Sequence, residues 1–114
     1  MSRKSSSVRI ADAAPLFAAL GDVTRLRIVV RLCTEGPSSI MRLTEGADVS
    51  RQAVTKHLRA LEDAGLVRSD RAGRECVWEL QPKRLDETRR YLDQISQQWD
   101  ETLGRLRAFV EEED

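Results

Sequence analysis

The chain has 114 residues, of which 33% are charged and 40% hydrophobic, as in one soluble domain rich in amphipathic helices. No apolar run approaches the roughly 20 residues of a membrane span, and the N-terminal stretch lacks the apolar segment of a secretory signal. Two cysteines do not make a disulfide framework. We therefore expect a cytoplasmic protein without a membrane partner.

The formal net charge is zero, but the charges are unevenly distributed. Residues 1–75 carry 13 Lys and Arg against 9 Asp and Glu, whereas residues 76–114 carry 6 against 10. A protein that binds nucleic acid needs only a local basic face. A nucleic-acid partner is therefore compatible with the composition.

The first ten residues are polar, basic and rich in serine, which predicts a flexible arm. After it, Asp12 is expected to cap a first helix, with Pro15 in the first turn, where its missing N–H is harmless. One face of this helix would carry Leu16, Phe17 and Leu20. We expect this helix to open one folded unit that covers residues 11–81.

The second helix is predicted between Asp22, which would cap it, and the stop signal Gly36-Pro37. Its apolar residues recur at helical spacing and are Leu26, Val29, Val30 and Cys33. We therefore expect most of this helix to lie in the core.

The third helix is short and would be capped by Ser38 or Ser39. It would bury Ile40 and Leu43 and end near Gly46. A brief turn then leads into the stretch "SRQAVTKHLRALEDAGLV", whose pattern predicts a fourth helix. Two helices joined by a turn of a few residues are typical of a helix-turn-helix.

The fourth helix has an apolar edge and a separate polar stripe. Ser50 would cap it, Gly65 would end it, and the buried edge consists of Val54, Leu58 and Leu61. At 100° per residue from the first helical position, this edge falls between roughly 280° and 340°, and the polar stripe between roughly 0° and 140°. The stripe consists of Arg51, Gln52, Thr55, Lys56 and Arg59.

These side-chain types suit the major groove of DNA, where Arg and Lys bind guanine and Gln binds adenine. A charged face is also what an ordinary surface helix presents to water. The helix-turn-helix context and the basic hairpin that follows favour double-stranded DNA as the partner.

After the fourth helix, apolar residues recur at every second position, as in a β-strand. Leu66 and Val67 would open one short strand, and Asp70 to Gly73 has turn chemistry. In a second strand, apolar side chains alternate at Cys76, Trp78 and Leu80. The pattern predicts a hairpin, the wing, whose basic residues would lie on phosphates: Arg68, Arg71 and Arg74.

A long C-terminal helix is predicted from about residue 84 to residue 111, within a dimerisation segment 82–114. About 28 residues span about 42 Å, so part of its apolar stripe would face water in a monomer. We therefore expect a homodimer that reads a palindromic site. The predicted interface residues are Leu16, Phe17, Leu20, Leu92, Ile95, Trp99, Leu103 and Leu106.

The stretches "FAALGDVTRLRIVVRLCTEG" and "SRQAVTKHLRALEDAGLVRSDRAGRECVWEL" resemble the ArsR family of bacterial winged helix-turn-helix repressors, over about residues 10–81. The resemblance implies a mainly α fold with five helices and a small β-hairpin wing. It also implies a homodimer that blocks transcription from a palindromic operator until a signal releases it. By the family pattern, the residues that face DNA would be Ser50, Arg51, Gln52, Thr55, Lys56 and Arg59, with Arg71 and Arg74 on the wing.

The sequence departs from the metal-sensing members of that family. Some of these members carry a Cys-x-Cys-type ligand box in the third helix, where this chain has "SSIMRL" at residues 38–43. Others carry His and carboxylate ligands on the last helix, which in this chain has no His. Zinc-class metals favour thiolate and imidazole ligands. We therefore expect a metal-independent member without a cofactor, while an unknown small-molecule inducer stays an open alternative.

The remaining reactive side chains favour structural roles. His57, the only histidine, lies beside the apolar sector of the fourth helix, and a catalytic site would have to be built around it alone. An enzyme is therefore not expected. Cys33 and Cys76 are expected to be buried structural thiols, with a redox switch as the alternative.

The sequence thus predicts a sequence-specific, DNA-binding transcriptional repressor. Arg3 and Lys4 of the N-terminal arm would help to neutralise phosphate. The alternative is a winged-helix protein-protein interaction module without specific DNA binding, which zero net charge also allows.

Overall fold

The chain folds into five helices and a small sheet within residues 9–112, the part that the computed structural model describes. The elements are α1 (Ile10–Leu20), α2 (Val23–Glu35), β1 (Ser38–Ser39), α3 (Ile40–Thr44), α4 (Arg51–Asp63), β2 (Val67–Ala72), β3 (Glu75–Leu80) and α5 (Pro82–Glu112). This order confirms the predicted fold class. The arm predicted for residues 1–10 falls almost entirely outside the described residues.

Helix α1 begins earlier than predicted, and the prediction of an Asp12 cap is wrong. The N-cap position is Arg9, whose carbonyl accepts hydrogen bonds from the backbone N–H groups of Asp12 and Ala13 at 3.0 and 2.9 Å. Asp12 is instead an acidic residue of the first turn, and Pro15 lies inside the helix. Aspartate is favoured at both the N-cap and the first turn, so its presence alone does not fix the starting residue.

The caps of the next three helices are confirmed. The carboxylate of Asp22 accepts from the Arg25 N–H at 3.1 Å, and this hydrogen bond lowers the pKa of Asp22. Ser39 and Ser50 cap α3 and α4 through their hydroxyl oxygens. Gly36, with φ of +80°, ends α2 as predicted.

The sheet contains one more strand than predicted. Its order is β1-β3-β2, all antiparallel, and Ser38 of β1 pairs with Trp78 of β3. The hairpin turn also lies further along the chain than predicted: Ala72 still pairs with Glu75, which leaves a two-residue loop with Gly73 at φ of +69°. A two-residue strand carries too little periodicity to be recognised in a sequence.

One hydrophobic core lies between α1, α2, α4 and the inner face of the sheet, and it includes Leu58, Leu61, Leu66 and Trp78. Helix α2 contributes Ile28, Val29 and Leu32 to it. The other side chains that were predicted to be buried with this helix and with the hairpin are exposed: Leu26, Val30, Cys33 and Cys76.

The error on α2 has a geometric cause. The helix packs on α4, β3 and α1 through one face, and nothing within residues 9–112 covers the opposite face. Cys76 is exposed because the hairpin extends beyond the core, where only Val67 of β2 and Trp78 of β3 are buried. The expectation of two buried thiols is therefore wrong.

Helix α5 packs on α1, where the rings of Phe17 and Tyr91 lie 5.8 Å apart. Leu16 is only 1% exposed within the core of its own chain, so its predicted place in a dimer interface is wrong. Leu20 is half-buried against the same core. From Ile95 to Glu112, by contrast, α5 has no buried side chain.

Candidate nucleic-acid interface

The apolar edge of α4 fixes the direction of its polar stripe. Val54, Leu58 and Leu61 are buried in the core. The opposite face therefore points to solvent, and its exposed residues are Arg51, Gln52, Lys56 and Arg59. The angular separation of edge and stripe on this helix agrees with the prediction.

The cations of this stripe have no partner within the described part of the chain. Within residues 9–112, the side chains of Arg51, Lys56 and Arg59 form no hydrogen bond or ion pair with the protein, and neither does the amide of Gln52. Their donors are therefore available to phosphate oxygens and to base edges.

Two predicted contact residues have internal hydrogen bonds. Thr55 is half-buried, and its hydroxyl donates to the Arg51 carbonyl at 2.8 Å. Ser50 accepts from the Ala53 N–H at 3.1 Å, and its own O–H has no acceptor among residues 9–112. Ser50 thus fixes the start of the helix and still presents a donor beside it.

The wing carries two unpaired arginines and one paired arginine. Arg71 and Arg74 are exposed, and neither side chain has a partner in the part of the chain that the structure describes. Arg68 is placed opposite Glu79 by the strand register, and its Nε lies 2.7 Å from a Glu79 carboxylate oxygen. Its positive charge is therefore partly neutralised, unlike that of the two arginines nearer the loop.

Arg25 forms a link behind α4 that sequence reasoning missed. Its Nη1 lies 3.3 Å from His57 Nδ1, and its Nε donates to the carbonyl of Ala19 at 2.5 Å. The carboxylate of Asp22 lies 3.8 Å from the same imidazole nitrogen. His57 is half-buried, in line with the structural role predicted for it, and this link joins the end of α1 and the start of α2 to α4.

Arg31 holds the turn of the helix-turn-helix. Its Nη1 donates to the carbonyls of Leu43 and Glu45, at 3.3 and 2.9 Å, where α3 ends. Its guanidinium also pairs with Glu35, and hydrogen bonds from Arg31 and then Arg42 lower the pKa of that carboxyl. Sequence periodicity places Arg31 on α2 but does not reveal its contacts with Leu43 and Glu45, because these residues are distant along the chain.

Replacing Ser50, the N-cap of α4, should destabilise the fold. Ser50→Ala removes the acceptor for the Ala53 N–H, so we expect the free energy of unfolding to fall by about 1 kcal/mol in urea denaturation. Ser96→Ala, on the exposed side of α5, is the matched control and should change it by less than about 0.5 kcal/mol. Equal stability of the two variants would contradict a capping role.

Two further features of residues 9–112 bear on other classes of function. Among residues 9–112, no group of three or more His, Cys, Asp or Glu side chains is placed to hold a metal ion. No helix in this range is both long and apolar enough to cross a membrane.

Comparison with known proteins identifies the family. A family model described as a helix-turn-helix domain matches residues 20–70. The HTH-type transcriptional regulator Rv2034 of Mycobacterium tuberculosis is 36% identical over 97 residues, covering 85% of this chain and 87% of the relative. The arsenical resistance operon repressor of Bacillus subtilis is 31% identical over 70 residues, covering 61% of this chain and 67% of the relative.

A solved structure is similar over nearly the same length. The ArsR-like transcriptional regulator from Rhodococcus sp. RHA1 has 38% sequence identity and a TM-score of 0.75, covering 87% of this chain and 92% of its own. The range matched by the family model, residues 20–70, includes the helix-turn-helix that presents the basic stripe. The chain therefore belongs to the ArsR family of helix-turn-helix transcriptional regulators.

Proposed function

We propose that the protein is a homodimeric, metal-independent repressor that binds a palindromic operator. The observation that carries this proposal is the stripe on α4, where three cations and an amide are exposed opposite the buried edge and lack partners within residues 9–112. Internal ion pairs would have neutralised a merely structural face. Binding to phosphate and bases uses such unpaired donors.

The N-terminal half of α4 enters the major groove in this proposal. The residues that read bases or adjoin them are Arg51, Gln52, Thr55, Lys56 and Arg59. Ser50, Arg71 and Arg74 bind the phosphate backbone, which sets the register of the domain on the duplex. The predicted contribution of Arg3 and Lys4 concerns residues outside those described and stays a prediction.

A second copy completes the proposed assembly. Residues 11–81 act as the DNA-binding unit, and segment 82–114 acts as the dimerisation helix. The apolar stripe of α5 supports this division, because its residues are exposed in a single chain: Leu92, Ile95, Trp99, Leu103 and Leu106. A two-fold dimer would place two recognition helices about 34 Å apart, one turn of DNA.

Release from DNA is proposed to need no metal. The third helix and its cap carry Ser39, Ile40 and Met41, none of which offers the thiolate or imidazole that zinc-class metals favour. The proposed role is regulatory and cytoplasmic, without catalysis. The inducer in this proposal is an unknown small molecule.

Fluorescence anisotropy on the duplex upstream of the protein's own gene, against scrambled DNA, tests the proposal. We expect tight binding that prefers the native duplex and weakens by orders of magnitude between about 50 and 200 mM salt, because several phosphate contacts release counterions. Absent or unselective binding would favour the protein-protein interaction module instead.

A further inference from the structure

The outer face of α2 is an apolar surface that none of residues 9–112 covers. Val23, Leu26 and Val30 are 63%, 46% and 59% exposed. They line one shallow groove together with Arg27 and Arg31. We call this groove the α2 groove.

Single exposed aliphatic residues are ordinary, but contiguous apolar patches on soluble proteins mark interaction sites. The three aliphatic residues of the α2 groove follow each other at helical spacing on one side of the helix, and Ile28 and Leu32 already fill the core side. Folding of the chain therefore does not require them. An occupant from outside the domain would explain them.

The far end of α5 has matching chemistry. Phe109 and Val110 are exposed apolar residues in its last turns, and the four residues that follow in the sequence, 111–114, are all acidic. The α2 groove combines aliphatic side chains with two arginines. A segment with apolar side chains followed by carboxylates therefore matches it in both hydrophobicity and charge. Arg27 has no internal partner within residues 9–112, whereas Arg31 is already paired with Glu35.

The length of α5 makes this end available to a second copy. Its 31 residues span about 46 Å at 1.5 Å per residue. Its ring contact with α1 lies in the first part of the helix, at Tyr91, and its one buried residue among those described, Thr88, lies there too. No side chain from Ile95 to Glu112 is buried, and the molecule is elongated, with extents of 69 × 38 × 22 Å.

We propose that the tip of α5, residues 109–112, docks into the α2 groove of the partner copy in a reciprocal contact. Phe109 and Val110 cover the aliphatic residues, and Glu111 and Glu112 approach Arg27. The inference rests on the proposed homodimer and adds a second contact to the α5 stripe. Because α2 also carries Arg25 and Arg31, this contact connects the partner to the recognition helix and its turn.

Matched substitutions on the full-length protein test the contact. Val30→Asp and Met41→Asp alter aliphatic residues that are each 59% exposed, but only Val30 lies in the α2 groove. In analytical ultracentrifugation we expect the dissociation constant of the dimer to rise at least about tenfold for Val30→Asp and to stay near wild type for Met41→Asp. A charge exchange that combines Arg27→Glu with Glu111→Lys should restore affinity lost in either single variant.

Disulfide trapping gives an independent measurement. Copies with Val30→Cys and copies with Val110→Cys, both carrying Cys33→Ser and Cys76→Ser, should form a mixed disulfide when they are combined and oxidised. Gln52→Cys on the recognition helix, in place of Val30→Cys, is the control and should not.

The outcomes separate this inference from the proposed homodimer. A dimer that withstands Val30→Asp with unchanged affinity, or that yields no mixed disulfide, overturns the α2 contact while the α5 stripe still holds the copies together. The groove would then be covered by another protein. A wild-type protein that sediments as a monomer overturns both.

Discussion

A Trp99→Asp variant is expected to sediment as a monomer and to lose at least about a hundredfold in affinity for a palindromic duplex. Trp99 is 62% exposed in the single chain and lies mid-way along the apolar stripe of α5. In the proposed dimer, aspartate would place an unpaired charge in a buried apolar interface, which is strongly unfavourable. Analytical ultracentrifugation and fluorescence anisotropy measure the two effects.

The control for this variant is Gln97→Asp, which adds the same charge on the opposite side of α5. It should remain a dimer with wild-type affinity for DNA. A stable Trp99→Asp dimer would mean that the copies associate through another face. A monomer that still binds the palindrome as tightly as the dimer would remove the reason for a two-fold operator.

Arg51→Ala and Gln52→Ala are expected to change which sequences the protein prefers. Each good base contact discriminates by about 1–3 kcal/mol, so each variant should lose preference at one position of the operator. Arg74→Ala, on the wing, should instead weaken binding to all duplexes similarly and lower the salt dependence by about one counterion. Anisotropy titrations against an operator and its single-base variants distinguish the two patterns.

Arg107→Ala is the control, because it removes an exposed arginine of α5 that lies far along the chain from the polar stripe of α4. It should change neither the sequence preference nor the salt dependence of DNA binding. If Arg51→Ala, Gln52→Ala and Arg74→Ala all weakened every sequence alike, α4 would be a phosphate-binding helix and its assignment as the base-reading element would fail.

The elements that sequence patterns predicted well are those whose signals are local. The cap at Ser50, the spacing of Val54, Leu58 and Leu61, and the glycine after α4 all lie within one turn or two of the residues that they control. The direction of the basic stripe follows from the same periodicity, since a buried edge leaves the opposite face to solvent.

The failures concern residues whose surroundings come from distant parts of the chain. Val30 and Cys33 lie at helical spacing, but the neighbours of α2 cover only its other face. Leu16 has the spacing of an interface residue, yet it fills the core of its own domain. Strand β1 forms only because β3 supplies a partner for two serines.

The sequence by itself therefore determined the helix-turn-helix, the hairpin, the long last helix and the residues that face outward on α4, because hydrophobic period, caps and turns act over a few residues. Only the tertiary structure decided which apolar faces remain open, how Arg25 contacts α4 and how Arg31 holds the end of α3. These features depend on which elements pack together, and hydrogen bonds such as that between Arg25 and His57 join residues far apart in the chain.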